Sequence, residues 1–585
     1  MSNEKAKLLK SFGLNMAIIL VVSNIIGSGV FKKVAPMSAG LLSPNLVILA
    51  WVLAGLVTLF GVLTVAEAGT MFPHSGGAYS WLEKMYGKTV SFFYGWSCFT
   101  VIQTAAIASI AFVFAGAVGN FIDLPNISDG SEKIKAKYVF VQHDSLYAEL
   151  ECGHHVFLTN AKDTLSAITH SYDPTTSANQ HYQVDTSYFK NDSLVVGITP
   201  TVILGPTGDQ APPPPPQQMV ISQQHSPHGL AAFSILGGAI KPLSNIGAKC
   251  VAALLIIILT LVNIKGAKYG GRISQVFTWI IITCIIMIII AGLSSAVGAF
   301  TNLTTASNTY DPPTIFKNGF GWQIGLVIAM VIAMRNAFWG YEGWISLGYV
   351  GAEIQNPGRN VPRALIIGIF IVIAAYVLLN VTYLYVMPID ELLFEVRKNE
   401  NTIAAVIVMN KIFGSWGGYI ISAMILVSTL GCTNTTVLTA SRIYYAMAQK
   451  GLFFKKAAVC HPKNNTPNNS LIYQCIWACI LVFSGSFDML TDLLIFAAFI
   501  FYGMIVFGVI ILRFKMKNTP RPYKTIGYPV VPILFVIFCV MLVVISIIEM
   551  PYESLIGFGL ILSGLPFYLI WYKRSKNMAV TAEEV

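Results

Sequence analysis

The sequence predicts an all-α polytopic membrane protein of about twelve membrane helices, built as a five-plus-five inverted repeat with broken helices 1 and 6, and carrying a small β-rich insertion between helices 3 and 4. Three observations carry that reading. Charge is scarce, apolar runs recur at the ~20-residue length that crosses a bilayer, and glycine-containing interruptions fall at corresponding places in two of those runs.

Of the 585 residues, 55% are hydrophobic and 11% charged, with a mean hydropathy of +0.66. Soluble domains carry about 25% charged residues. Apolarity and length place spans near 12–36, 45–70, 90–121, 246–264, 273–297 and 323–349, then near 362–386, 416–447, 470–484, 489–512, 528–548 and 555–572. The ninth is short. The first apolar stretch, from Phe12, is too long for a cleavable signal and runs into Gly27-Ser28-Gly29.

An even count puts both termini on one side, and basic residues choose which. With the N-terminus cytoplasmic, the inner loops hold Lys5 to Lys10, Lys84 and Lys88, Lys265 to Arg272, Arg359 and Arg363. They continue with Lys450 to Lys463, Arg513 to Lys524 and Lys573 to Lys576. This asymmetry is the positive-inside pattern of a multi-pass cell-membrane protein, plasma or inner. It absorbs most of the formal charge of +10, so nucleic acid is not an expected partner.

The chain divides into 1–122 (helices 1–3), 123–243 (an extracytoplasmic insertion) and 244–585 (helices 4–12). Within the insertion, Tyr138 to Val141 and Leu194 to Ile198 read as short strands. Pro212 to Pro216 favour stiff polyproline II before a Gln/His/Ser stretch, 217–228. The apolar patch 230–240 is too short to span. His143, His154, His155, His170 and His181 match no standard ligand spacing, so no metal is expected. Cys98, Cys284, Cys475, Cys479 and Cys539 sit in apolar spans and read as packing. Cys152 and Cys250 fall near the outer face and could pair. Sequons at Asn126, Asn191 and Asn302 also fall on the predicted outer side.

If spans one to five and six to ten are repeats, their odd number inverts one relative to the other. The first helix of each then carries the glycine break, and such paired breaks mark a carrier's substrate site at the midplane. At the first break, Ser28 and Gly29 would offer free N–H groups at the start of the outer half-helix, suited to a carboxylate. The carbonyl of Ile25, before Gly27, would suit an ammonium. A zwitterionic amino acid fits both ends, whereas a small-residue packing face is the plainer alternative. The second break, Trp339-Gly340-Tyr341-Glu342-Gly343, puts a carboxyl in an apolar helix, where an ionisable group is a functional hypothesis by default. Glu342 could meet a substrate ammonium, take up a proton, or form a structural pair with Arg335.

The stretches Gly27 to Phe31 and Ala66 to Tyr79 resemble signatures of the amino acid–polyamine–organocation (APC) superfamily. Within it, Trp339 to Trp344 and Glu353 to Pro362 are similar to the L-type amino-acid transporter branch. The resemblance covers the chain apart from the insertion. It implies alternating-access transport of L-amino acids by a permease or exchanger. The substrate carboxylate would meet the N–H groups of Ser28 and Gly29, its amine the carbonyls of Ile25, Trp339 and Glu342, with Trp339 as the aromatic gate. Many relatives carry a lysine where this chain has Ile281, so sodium independence does not carry over, and Ser428 and Thr429 could supply oxygens to a cation. No cofactor is implied, and coupling to H+ or Na+ stays open. The expected partners are the amino acid, membrane lipid and an extracytoplasmic protein met through 123–243. Competing readings are an amino-acid sensor with a transporter-like core, or a polyamine or organic-cation carrier. The insertion has no nucleophile–base pattern, so an enzyme is not expected.

Overall fold

The computed structural model describes residues 10–125, 136–142, 145–150, 155–160, 181–190, 193–199, 217–222, 243, 245–307, 322–398 and 403–583. The chain forms two compact units, 1–124 with 247–585, and 125–246.

The larger unit is helical. Ten helices among its described residues are long and apolar enough to cross a membrane. The Trp322–Tyr341 helix and the shorter apolar Asn468–Ser484 helix accompany them. Leu14–Lys32, Lys88–Gly119, Trp416–Gln449 and Met489–Lys515 are mostly buried, whereas Tyr269–Leu293, Val530–Glu549 and Pro551–Lys573 face outward. Leu14–Ile25 lies inside, packed against Ala267–Leu293, Pro357–Val386 and Trp416–Gln449. Pro44 starts the Pro44–Met71 helix at its first turn, a position where its missing N–H costs nothing. Hydroxyls along the spans bond back to their own helix, as Thr58 does to the Ala54 carbonyl (2.8 Å) and Thr429 to that of Ile425 (2.6 Å). This satisfies polar groups where water is scarce.

Two charge clusters sit at the ends of spans. Glu67 accepts from Arg513 Nε (3.0 Å) and Nη2 (2.6 Å), from Arg521 Nε (3.2 Å), and from the Thr525 amide and hydroxyl (2.8 Å each). Arg442 donates to both oxygens of Glu353, at 2.8 and 3.3 Å, with both residues buried. The stretch before the first span is tied to the same loop: Phe12 N donates to Glu353 O (3.0 Å), and Gln355 N donates to Phe12 O (2.9 Å).

The smaller unit holds six strands: β1 (Ala136–Gln142), β2 (Ser145–Leu150), β3 (His155–Asn160), β4 (His181–Lys190), β5 (Ser193–Thr199) and β6 (Gln217–Ser222). They form one sheet in the order β3-β2-β1-β4-β5-β6, antiparallel at every pairing. Gln217 to Ser222, read from composition as part of a polar stretch, pairs with β5 instead. The polyproline run, the 230–240 patch, Asn126, Asn191, Cys152, His143, His154 and His170 lie outside the described residues. Cys250 is a free thiol. Asn302 donates its side-chain amide to the Tyr385 carbonyl (2.9 Å).

Candidate functional site: two interrupted helices around a polar cavity

Asn24 to Gly29 explains the first interruption. The helix Leu14–Ile25 stops where Ile26 takes φ −74°, ψ 89°, and Gly27 N donates to Ile25 O at 2.8 Å. That is an inverse γ-turn. Helical bonding resumes at Gly29–Lys32 and runs through Lys33 into Val34–Leu41. The Ser28 and Gly29 N–H groups donate to no acceptor among the described residues, as expected at a helix start.

The freed carbonyls are satisfied by neighbouring spans. Tyr376 Oη donates to Ile25 O (2.9 Å) and Gly340 O (3.0 Å), so one hydroxyl bridges the two interrupted segments. Ser428 Oγ donates to Ile26 O (3.1 Å) and Gly27 O (3.2 Å), and Cys432 Sγ to Asn24 O (3.3 Å). Of the two hydroxyls considered for a cation, Thr429 bonds its own helix and only Ser428 reaches the break.

The second interruption begins later than its glycines suggest. Trp339, Gly340 and Tyr341 end the Trp322–Tyr341 helix, and the turn falls at Glu342–Ile345 before Ser346–Tyr349. Gly343 takes φ +109°, a backbone conformation that L side chains rarely adopt. A Cβ there would also lie 2.5 Å from Asn24 O.

The two interruptions enclose a narrow cavity of ≈ 30 Å³. Six of the eight residues expected at the site line it: Ile25, Gly27, Ser28, Gly29, Trp339 and Glu342. Gly340 and Tyr341 do not. Gly340 instead lies against Gly29 and Trp51, and Tyr341 donates to Trp51 O at 3.1 Å. Glu342 is buried and accepts from Tyr502 Oη at 2.5 Å. Glu342 makes no ion pair with Arg335, whose Nε and Nη1 find no hydrogen-bond acceptor among the described residues. Trp339 stacks edge-on against Phe487, centroids 5.8 Å apart.

Sequence reasoning missed Gln103 on the third span, and on the eighth it picked Ser428 and Thr429 but not Cys432 and Thr436. Gln103, Cys432 and Thr436 line the same cavity. Gln103 directly follows a π-helical turn, Cys98–Ile102, and such bulges recur at functional sites. Its amide donates to Tyr349 Oη (3.5 Å), which bonds Tyr94 Oη (2.6 Å). A lone glutamine inside an apolar span was the available signal. No group of three or more metal-ligating side chains occurs among the described residues.

Long apolar helices around a central polar cavity define a multi-pass membrane permease. The particular family follows from comparison: the family described as amino acid permease matches residues 12–571, and the chain belongs to it. The chain is 28% identical to human (Homo sapiens) b(0,+)-type amino acid transporter 1 over 569 residues, 96% of this chain and 88% of that one. It is 27% identical to the serine/threonine exchanger SteT of Bacillus subtilis (strain 168) over 579 residues, 99% and 100% of the two chains. Mouse (Mus musculus) large neutral amino acids transporter small subunit 2 shares 25% identity over 573 residues, 97% and 83%. These relatives are transporters and exchangers, so the chain is a permease and not an enzyme.

Proposed function

We propose that the protein carries L-amino acids across a cell membrane by alternating access, holding the substrate between its two interrupted helices. One observation carries this reading: unpaired N–H groups at Ser28 and Gly29 and the Glu342 carboxyl line the same buried cavity. A substrate carboxylate then meets the Ser28–Gly29 end, where the helix start is partly positive. The ammonium faces the opposite wall, near the Trp339 and Glu342 backbone. The Ile25 carbonyl already accepts from Gly27 N and Tyr376 Oη, so it is a weaker candidate for the amine. The narrow cavity is consistent with a closed form whose halves part to admit substrate.

The reading includes twelve spans in two inverted repeats, cytoplasmic termini, and the 123–243 insertion outside as a docking point for a partner. Between exchange and proton-linked uptake, the relative named an exchanger supports exchange. A second reading is favoured by Glu342, the one acidic side chain among the cavity-lining residues: coupling to a proton, or tolerance of a substrate carrying an extra positive charge.

The test is uptake into vesicles reconstituted with the full chain, over a panel of neutral and cationic amino acids and polyamines. Each is run with and without a sodium or pH gradient, and with or without internal amino acid. Accumulation that is saturable and accelerated by internal amino acid supports the reading. Binding without accumulation replaces it with a sensor, and preference for polyamines replaces it with an organic-cation carrier.

A further inference from the structure

Away from the polar cavity, three helices frame a second, larger hollow of ≈ 540 Å³. Its walls run from Leu46 to Phe60 on Pro44–Met71, from Leu326 to Met334 on Trp322–Tyr341, and from Leu534 to Met541 on Val530–Glu549. At 1.5 Å per residue, the Leu46–Phe60 wall is about 21 Å long. Every lining side chain is apolar. The lips are open, with Val327 53% and Ile537 57% exposed.

We propose that this groove holds one acyl chain of a membrane phospholipid. The groove starts two residues inside the helix that begins at Pro44 and descends along more than half of that helix. An occupant must therefore be apolar over its whole buried length and keep its polar end beyond the helix end. A phospholipid tail meets both demands while its headgroup stays in water. No hydrogen-bonding side chain lines the groove to receive a hydroxyl, which disfavours a buried polar ligand. Its packing also bears on the permease core. Phe538, in the groove wall, packs on Phe338, centroids 5.3 Å apart, one residue before Trp339 enters the cavity wall. The chain in the groove thus backs the second interrupted helix.

The test uses the full protein in phosphatidylcholine vesicles containing a trace of phosphatidylcholine with a photoreactive diazirine midway along one chain. After irradiation, labelled peptides are mapped. The groove walls are expected to be labelled several-fold more than Tyr269–Leu293, a helix equally open to lipid, with Trp279 57% and Ile290 63% exposed. Filling the groove with Leu53→Trp and Met330→Trp should bring its labelling down to that reference and leave the reference unchanged. Leu53→Phe alone serves if the double variant does not insert. Uniform labelling of all outward helices, or undiminished labelling in the filled protein, overturns the proposal. Labelling by a photoreactive sterol in place of the phospholipid overturns it too. The readout is chemical and independent of what the protein transports.

Discussion

A side chain on Gly29 would begin 2.5 Å from the Cα of Gly340, so the two interrupted helices touch backbone to backbone. Trp339 Cδ1 lies a further step away, at 3.3 Å. The contact sets how closely the cavity walls approach each other.

Gly29→Ala should therefore impair uptake while leaving membrane insertion intact, and Gly29→Leu should abolish it. Overpacking of this kind costs about 1–3 kcal/mol, which is roughly 5- to 150-fold in an equilibrium constant. Initial uptake rates, normalised to inserted protein, check it; unimpaired uptake by Gly29→Leu would remove Gly29 from the site.

Tyr376→Phe should loosen the junction, because one hydroxyl serves the carbonyls of both Ile25 and Gly340. The Ile25 carbonyl keeps its Gly27 donor, but leaving the buried Gly340 carbonyl short of one costs about 1–3 kcal/mol. The variant is expected to melt at lower temperature in detergent and to bind substrate more weakly. A wild-type melting curve would show that the bridge contributes nothing.

Glu342→Gln keeps the shape of the side chain and removes its titration. If the carboxyl carries a proton through the cycle, the dependence of uptake on pH flattens in this variant. Tyr502→Phe, which deletes the donor at 2.5 Å, should shift the same profile without flattening it. An unaltered profile in Glu342→Gln would leave the residue a packing carboxyl.

Removing one member of the Glu353–Arg442 pair strands a buried charge. Arg442→Ala should destabilise by about 3–5 kcal/mol, and Arg442→Met with Glu353→Leu should recover much of that loss. Thermal unfolding of the singles and the double, compared as a cycle, measures the coupling.

Deleting residues 123–243 and joining the flanking spans by a short linker should change transport rate or partner binding more than the order of substrate preference. A reordered preference would mean that the insertion takes part in selection.

Glycine and serine made the first interruption legible, since Gly27-Ser28-Gly29 stands out in an apolar run. The second was legible only approximately. Gly340 resembles part of the break, yet it stays helical and its missing side chain instead makes room for Gly29 and Trp51, while Gly343 takes the left-handed turn. Gln103 escaped because its span is apolar on nearly every face, and Cys432 and Thr436 because polar residues from Ser428 to Arg442 fall on every face of theirs, so in neither does periodicity say which side looks inward. Strand β6 escaped because strand pairing, not composition, recruits Gln217 to Ser222.

The Phe12 backbone clasps Glu353 and Gln355, and Glu353 is itself anchored to Arg442. Pulling on residue 12 therefore tugs the segment that follows the other gap, and the eighth span with it. The start of one cut helix and the stretch beyond the other are thus fastened at a single buckle, and parting them requires breaking the Phe12 backbone bonds to Glu353 and Gln355.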